Sequence, residues 1–130
     1  MSKNHALGQK GEQLAADFLE KNGYTLLARN WRWGKAELDL IAQFGQTLIF
    51  VEVKTRTHTR FGFPDEAVGR KKERLMIEAA GQFMYLREWE KEFRFDVIGI
   101  VLGPEPDIRH YPDAFFPFYC EAAPEPEDDQ

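Results

Sequence analysis

The sequence predicts a single α/β domain, in which helical segments alternate with groups of β-strands. Its 130 residues are enough for one sizeable hydrophobic core, and its 43% hydrophobic and 14% aromatic residues are typical of a globular protein. Two segments show the spacing of amphipathic helices, and the segments between and after them read as strands. We expect the domain to span residues 1–120. Residues 121–130 are rich in Pro and acidic residues, so we expect a disordered tail there.

The first element is an amphipathic helix, expected over residues 4–22. One face carries apolar or small residues at helical spacing: Leu7, Gly11, Leu14, Ala15, Phe18 and Leu19. Gly23 follows, where a left-handed residue commonly ends a helix. Gly8 and Gly11 have low helix propensity, so we expect another backbone to approach them closely. Glu12 lies on the flank of the apolar face and can reach along the edge of the core.

Three strands are expected next, separated by glycine-containing turns: residues 24–33, 36–42 and 48–56. A hairpin with a four-residue loop would pair Ala42 with Thr47. In that register Asp39 lies opposite Phe50. Because side chains alternate between faces, any loop of even length puts Asp39 and Glu52 on the same face, close enough to share one ion. A loop of odd length would separate them.

The second half of the chain predicts one long helix and two further strands. The helix is expected to end at Trp89 and to begin at Asp65 or Gly69. Its first turns carry Lys and Arg, which the helix dipole disfavours. Residues 93–102 are largely apolar on both faces, which indicates a central strand. A short strand near residues 108–111 is expected at a sheet edge.

Charge and cysteine content restrict the classes of protein. The net charge of −5 comes from the tail, because the rest of the chain holds 17 acids and 17 bases. Residues 53–74 carry seven bases and three acids, an excess that suits phosphate contacts and equally suits ordinary surface charge. Cys120 is the single cysteine, so the chain cannot form an internal disulfide, which favours a reducing compartment. No apolar run approaches the length of a membrane span. We expect a cytoplasmic protein without a membrane partner.

The most informative segment, residues 36–56, places charged side chains within otherwise apolar strands. Strand alternation puts Glu37 and Asp39 on one face of the second strand, together with Ile41. Glu52 and Lys54 share one face of the third strand. Carboxylates inside buried segments are unfavourable unless a cation pairs with them or a metal binds them. The segment therefore predicts either a structural ion pair or a metal site.

The residue types suit phosphodiester hydrolysis. Asp39 and Glu52 can hold Mg²⁺ (or Mn²⁺), with the Val53 carbonyl as a further oxygen ligand. A metal polarises the phosphate, and Lys54 can orient or deprotonate the attacking water. Glu12 can add a fourth acidic group from the first helix. No Cys/His pattern for zinc occurs.

Several motifs add a resemblance that covers Gly8 to Tyr111. In order they are GEQLAADFLEKNGY, ELDLIA, FVEVKTR, FGFPDEAV and RFDVIGI. They resemble the YraN-like endonuclease family of the PD-(D/E)xK nuclease superfamily, which is similar to archaeal Holliday-junction resolvases. The resemblance implies a restriction-endonuclease-like fold with a mixed central sheet flanked by helices. It also implies four functional residues: Asp39 and Glu52 as metal ligands, Lys54 as the catalytic lysine and Glu12 as an assisting acid. Ala36 stands where the family usually has glycine.

The expected function is therefore metal-dependent hydrolysis of DNA, on branched or structured forms. Four bases are expected to contact nucleic acid: Arg56, Arg60, Lys71 and Lys72. The alternatives are a non-catalytic nucleic-acid-binding or complex-assembly protein, and a nuclease that acts on RNA. A homodimer would suit the cutting of two strands. Glu37 and Asp96 are expected to have structural roles, with Asp96 bonded to a neighbouring strand or to Arg94.

Overall fold

The computed structural model of the protein describes residues 3–57 and 68–115. These ranges contain two helices and five strands: α1 (Lys3–Lys21), β1 (Thr25–Trp33), β2 (Ala36–Phe44), β3 (Thr47–Arg56), α2 (Arg70–Arg87), β4 (Glu92–Val101) and β5 (Asp107–Phe115). The strands form one sheet in the order β1-β2-β3-β4-β5. Only β3 and β4 are parallel, and the other neighbours are antiparallel. The predicted α/β domain with a mixed sheet and flanking helices is confirmed.

The two helices cover opposite faces of the sheet. On one face, Met76 and Phe83 of α2 pack in a core with Leu38 and Phe50. On the other face, Ala15 and Leu19 of α1 pack with Leu40, Val51 and Ile98. The central strand β3 contributes alternate residues to both cores, because successive strand side chains point to opposite faces. Neither helix in the described ranges combines the length and apolar character of a membrane-spanning segment.

Most expected element boundaries agree with the structure to within two residues. The fifth strand is longer than expected, since it extends to Phe115 at the edge of the sheet. Helix α2 begins directly after Gly69, one of the two expected starts. The other start, Asp65, lies outside the described residues, as do Arg60, Cys120 and residues 121–130.

The β2–β3 hairpin corrects the expected register. Its loop has two residues rather than four, so Phe44 pairs with Thr47 and Ala42 pairs with Ile49. Phe50 therefore lies opposite Ile41, not opposite Asp39. The cause is Gly45, whose φ of 61° supplies the positive φ that a two-residue hairpin turn favours at its first central position. The loop length is nevertheless even, which is the condition for bringing Asp39 and Glu52 together.

The expected alternation along β2 breaks at Asp39. Leu38 and Ile41, three residues apart, both pack in the α2-side core, which regular alternation does not allow. The neighbouring strand β1 has an irregularity at the same level, because Asn30 adopts a φ of 48° between the pairs Arg29–Leu40 and Trp31–Leu38. Asparagine is among the residues that best tolerate this left-handed conformation. In this register Asn30 lies at the level of Asp39, and we call its left-handed position the kink at Asn30.

The glycines of α1 have different environments. A Cβ on Gly11 would lie 2.8 Å from Thr55 Cβ on β3, which is closer than packed carbon atoms come. Nothing lies within 4 Å of a Cβ on Gly8. Gly11 is thus closely approached, but by the Thr55 side chain rather than by the expected backbone, and the expectation is wrong at Gly8. Gly23 has a φ of 92° directly after α1, as expected for a helix end.

Candidate functional site

The candidate site lies where β2 and β3 separate. Their pairing ends at Leu40 and Val51, so Asp39 and Glu52 are the first residues of the two strands beyond the last pair. The Asp39 side chain occupies the gap between the strands. Its Oδ2 accepts a hydrogen bond of 2.9 Å from the Val53 amide. The kink at Asn30 and the end of strand pairing together position this carboxyl group between the two strands.

The surroundings of Asp39 disfavour its negative charge. Burial, together with the nearby Glu52 carboxylate, raises the pKa of Asp39 from 3.8 to about 8. Glu12 acts in the same direction, whereas the Val53 amide and Lys72 favour the charged form. Asp39 therefore holds a proton near neutral pH. Binding of a divalent cation would release this proton, because a nearby positive charge favours the charged form of the carboxyl group.

Glu52 is almost fully buried and makes an ion pair with α2. The Lys72 Nζ atom lies 2.8 Å from Glu52 Oε2, and the two side chains are 52% and 8% exposed. The other oxygen, Oε1, is buried and has no hydrogen-bond partner within the described parts of the chain. A buried carboxylate oxygen without a donor is unfavourable. Its lone pairs are available to a ligand or cation.

Glu12 reaches the site from the opposite face of the sheet. Its Oε1 accepts a hydrogen bond of 3.0 Å from Asn30 Nδ2, at the kink beside Asp39. The adjacent Gln13 accepts a hydrogen bond from Arg29, which further ties α1 to β1. Glu12 therefore lies close enough to Asp39 to influence its charge, and it is held by Asn30.

The predicted lysine and arginine residues divide into two groups. Lys54 is half-buried on β3. Because Val53 packs in the α1-side core, strand alternation puts Lys54 and Glu52 on the α2 side. Arg56 and Lys71 are exposed. Of the four predicted nucleic-acid contacts, the structure brings Lys72 into the site and leaves Arg56 and Lys71 on the surface.

A cleft of about 280 Å³ opens beside these groups, between β2 and the first turns of α2. Its charged lining consists of Lys35, Glu37, Asp39 and Lys72, above an apolar floor that includes Met76. Glu37 also lies 3.7 Å from Arg32 across the β1–β2 hairpin, which agrees with its expected supporting role. The cleft brings cations and carboxylates to the same opening.

The donor set fits a hard divalent cation better than zinc. Asp39 and Glu52 offer carboxylate oxygens, which Mg²⁺ and Mn²⁺ prefer. In a strand, the amide and the carbonyl of one residue point towards the same neighbouring strand. The Val53 amide donates a hydrogen bond to Asp39 on β2, so the Val53 carbonyl also points towards β2. No preformed group of three or more His, Cys, Asp or Glu ligands occurs among the described residues. The protein would thus contribute few ligands, and water or substrate would complete the shell.

Three features of the structure were not expected from the sequence. Asn30 links Glu12 to the kink, and only its tolerance of positive φ could have indicated it. The ion pair of Lys72 with Glu52 was not expected, because the sequence indicated Lys72 only as a nucleic-acid contact. Lys72 lies one helical turn before the buried Met76, and this spacing could have indicated that it faces the sheet. Glu73 is also buried on α2. Burial raises its pKa, although Arg70 acts in the opposite direction.

A second buried carboxylate, Asp96, is fully satisfied and structural, as expected. Arg94 donates two hydrogen bonds to it, at 2.9 and 3.0 Å. His110 Nε2 lies 2.7 Å away and the Asp113 amide donates at 2.9 Å. Although burial alone would raise the pKa of Asp96, these partners lower it. Glu52 differs from Asp96 because one of its buried oxygens has no partner among the described residues, as is also true of Glu73 on α2.

The fold and the site define an α/β protein with an acidic site at the strand fork, the point beyond the Leu40–Val51 pair where β2 and β3 separate within a mixed sheet. The model of "Uncharacterised protein family UPF0102" matches residues 11–100, more than half of the chain. A UPF0102 protein of Flavobacterium psychrophilum is 40% identical over 119 residues, which cover 91% of this chain and 100% of the relative. A UPF0102 protein of Rhodococcus opacus is 44% identical, with 88% and 100% covered. The chain belongs to the UPF0102 family.

Proposed function

We propose that this protein is a metal-dependent nuclease that hydrolyses phosphodiester bonds in DNA. The observation that carries the proposal is the convergence of Asp39 and Glu52 at the strand fork, where a buried Glu52 oxygen has no partner among the described residues. A structural ion pair alone needs one carboxylate and one cation. Here a second carboxyl group, whose pKa is raised by burial and by Glu52, lies beside that pair, and a divalent cation would favour its charged form.

The roles follow from the chemistry of each side chain. Asp39, Glu52 and the Val53 carbonyl would hold Mg²⁺ or Mn²⁺, which would supply Lewis-acid polarisation of the scissile phosphate and lower the pKa of a water molecule. We assign to Lys54 the orientation of the attacking water and the neutralisation of developing charge. Glu12 assists through its influence on Asp39.

Nucleic acid is the substrate class that best matches the charges around the cleft. Lys35 and Lys72 line it, and the first turns of α2 add the exposed bases Arg70, Lys71 and Arg74. Phosphates bind readily near a helix N-terminus that carries basic side chains. Arg56 is a further exposed base, at the end of β3. A homodimer would supply two such sites for the two strands of a branched duplex.

A substrate panel tests this proposal. Purified protein is incubated with linear, single-stranded, flapped and four-way DNA, and with RNA of the same sequence, in Mg²⁺, in Mn²⁺ or in chelator. We expect cleavage of DNA that requires the cation. Cleavage of RNA alone would support an RNA-directed nuclease. Binding without cleavage of any substrate would contradict catalysis and favour the assembly-protein alternative.

A further inference from the structure

The Lys72–Glu52 ion pair has an asymmetry that a purely structural pair does not need. The Glu52 side chain is 8% exposed, whereas that of Lys72 is 52% exposed, at the 2.8 Å contact. Lysine has a flexible four-carbon stem and a strongly hydrated ammonium group. The ammonium can therefore return to water by rotating its stem, while the carboxylate is enclosed where it lies. If the pair separates, Lys72 is the partner that moves.

The position of Lys72 on α2 also indicates a role outside helix stability. Arg70, Lys71 and Lys72 begin the helix, and a cation in the first turn is disfavoured by the helix dipole. Lys72 alone of these three lines the cleft. It lies on the same side of the helix as Met76, which is buried against the sheet. The ammonium thus occupies the place where Glu52 needs positive charge.

We propose that Lys72 is a displaceable counter-ion, which pairs with Glu52 when no divalent cation is present, competes with that cation for the carboxylate, and contacts a substrate phosphate once displaced. This inference rests on the proposed function, because it concerns how the same site acquires its cation. It assigns to Lys72 a positioning role in the site and is more specific than the surface phosphate contact expected from sequence.

The proposal has a consequence for the order of assembly. The ammonium lies on Glu52 Oε2, and a cation on Oε1 would share the same carboxylate with it. The two positive charges would repel each other at this short distance. A phosphate in the cleft would attract the displaced ammonium and so favour the cation-bound arrangement. Cation and polyanion should therefore each increase the affinity of the other, as linkage requires. The site would load its cation most readily when nucleic acid is already present.

Mn²⁺ binding to the full chain, measured by calorimetry without nucleic acid, tests the displacement. Lys72→Met keeps the apolar stem and removes the charge, and Lys71→Met makes the same change in net charge on the neighbouring exposed residue. We expect Lys72→Met to bind Mn²⁺ about tenfold more tightly than the wild type, since one nearby like charge is removed. Lys71→Met should stay within about twofold, because its charge is exposed and screened. Lys72→Arg, which keeps a cation, should not reproduce the gain.

Three outcomes distinguish the two proposals. Wild-type binding of Mn²⁺ with no gain in Lys72→Met would overturn the displaceable counter-ion and leave the nuclease proposal standing. Absence of Mn²⁺ binding in the wild type and in both methionine variants would contradict the metal-dependent function itself. If Lys72→Met does not fold, NMR of the Lys72 side chain in the wild type provides the test with Mg²⁺. Its resonances should move towards those of a solvated lysine, and unchanged resonances would overturn the proposal.

Discussion

Asp39 is the residue whose chemistry the fold changes most. The sequence shows only a carboxylate in an apolar strand, and the structure adds the Val53 amide, the Glu52 carboxylate and the kink at Asn30. A sequence can indicate which carboxylates are buried, because apolar neighbours on the strand predict burial. It cannot give the positions of charges from other strands and helices, and these determine the pKa of Asp39.

Stability as a function of pH tests the environment of Asp39. Its pKa is about 8 in the folded protein against an ordinary 3.8, so between these pH values the folded state holds a proton that the unfolded chain releases. The free energy of unfolding should therefore fall as pH rises through this window. Asp39→Asn removes the titration and should be more stable than the wild type above pH 8, by at least about 1 kcal/mol.

Chemical denaturation in chelator, at acidic and alkaline pH, measures this difference. Below about pH 3.8 the two proteins should have similar stability, because the wild-type carboxyl group is then neutral in both the folded and the unfolded state. Two results would contradict a raised pKa at Asp39. One is an Asp39→Asn protein that is less stable than the wild type at alkaline pH. The other is an Asp39→Asn protein whose free energy of unfolding falls with pH as steeply as that of the wild type.

At the scale of elements, the sequence predicts the type of each helix and strand well and the contacts between them less well. The two-residue turn at Gly45 was missed because the apolar pattern of β2 weakens at Gln43, where the strand in fact continues to Phe44. The parity of the loop was still sufficient to bring Asp39 and Glu52 together. The break in the alternation of β2 could not be predicted from the sequence of β2 alone. The residue with an unusual backbone conformation at this level is Asn30, which lies on β1.

The packing of α1 against β3 makes a second prediction, with a control on the same helix. Gly11→Ala places a methyl group 2.8 Å from Thr55 Cβ, so it should destabilise the protein by about 1–3 kcal/mol through overpacking. Gly8→Ala meets no atom within 4 Å and should stabilise it by about 0.5–1 kcal/mol, through higher helix propensity.

Thermal unfolding of the two variants measures these opposite signs. Equal effects of the two substitutions would show that helix propensity, rather than contact with β3, determines the result at Gly11. Because Glu12 follows Gly11 directly, displacement of α1 should also weaken the Asn30–Glu12 hydrogen bond.

At the scale of the whole molecule, the sheet explains why residues distant in sequence form one site. The parallel pairing of β3 with β4 requires a crossover connection, and α2 lies in that connection, with Lys72 beside Glu52. Local patterns predict strands but not their order. The mixed sheet was therefore expected from the family resemblance, and the structure confirms it. The placement of Arg60 stays a prediction, since it lies outside the described residues.

The central claim is that Asp39 and Glu52 form a catalytic metal site, and the single-turnover rate of DNA cleavage in Mg²⁺ tests it most directly. Loss of either carboxylate should reduce this rate by about 10²-fold or more, because a group that acts in the transition state is removed. We therefore predict that Asp39→Asn and Glu52→Gln, both folded, lose cleavage at saturating DNA. Lys71→Gln should instead weaken DNA binding and its salt dependence, with the saturated rate largely kept. Cleavage by Asp39→Asn and Glu52→Gln at the wild-type rate would contradict the claim.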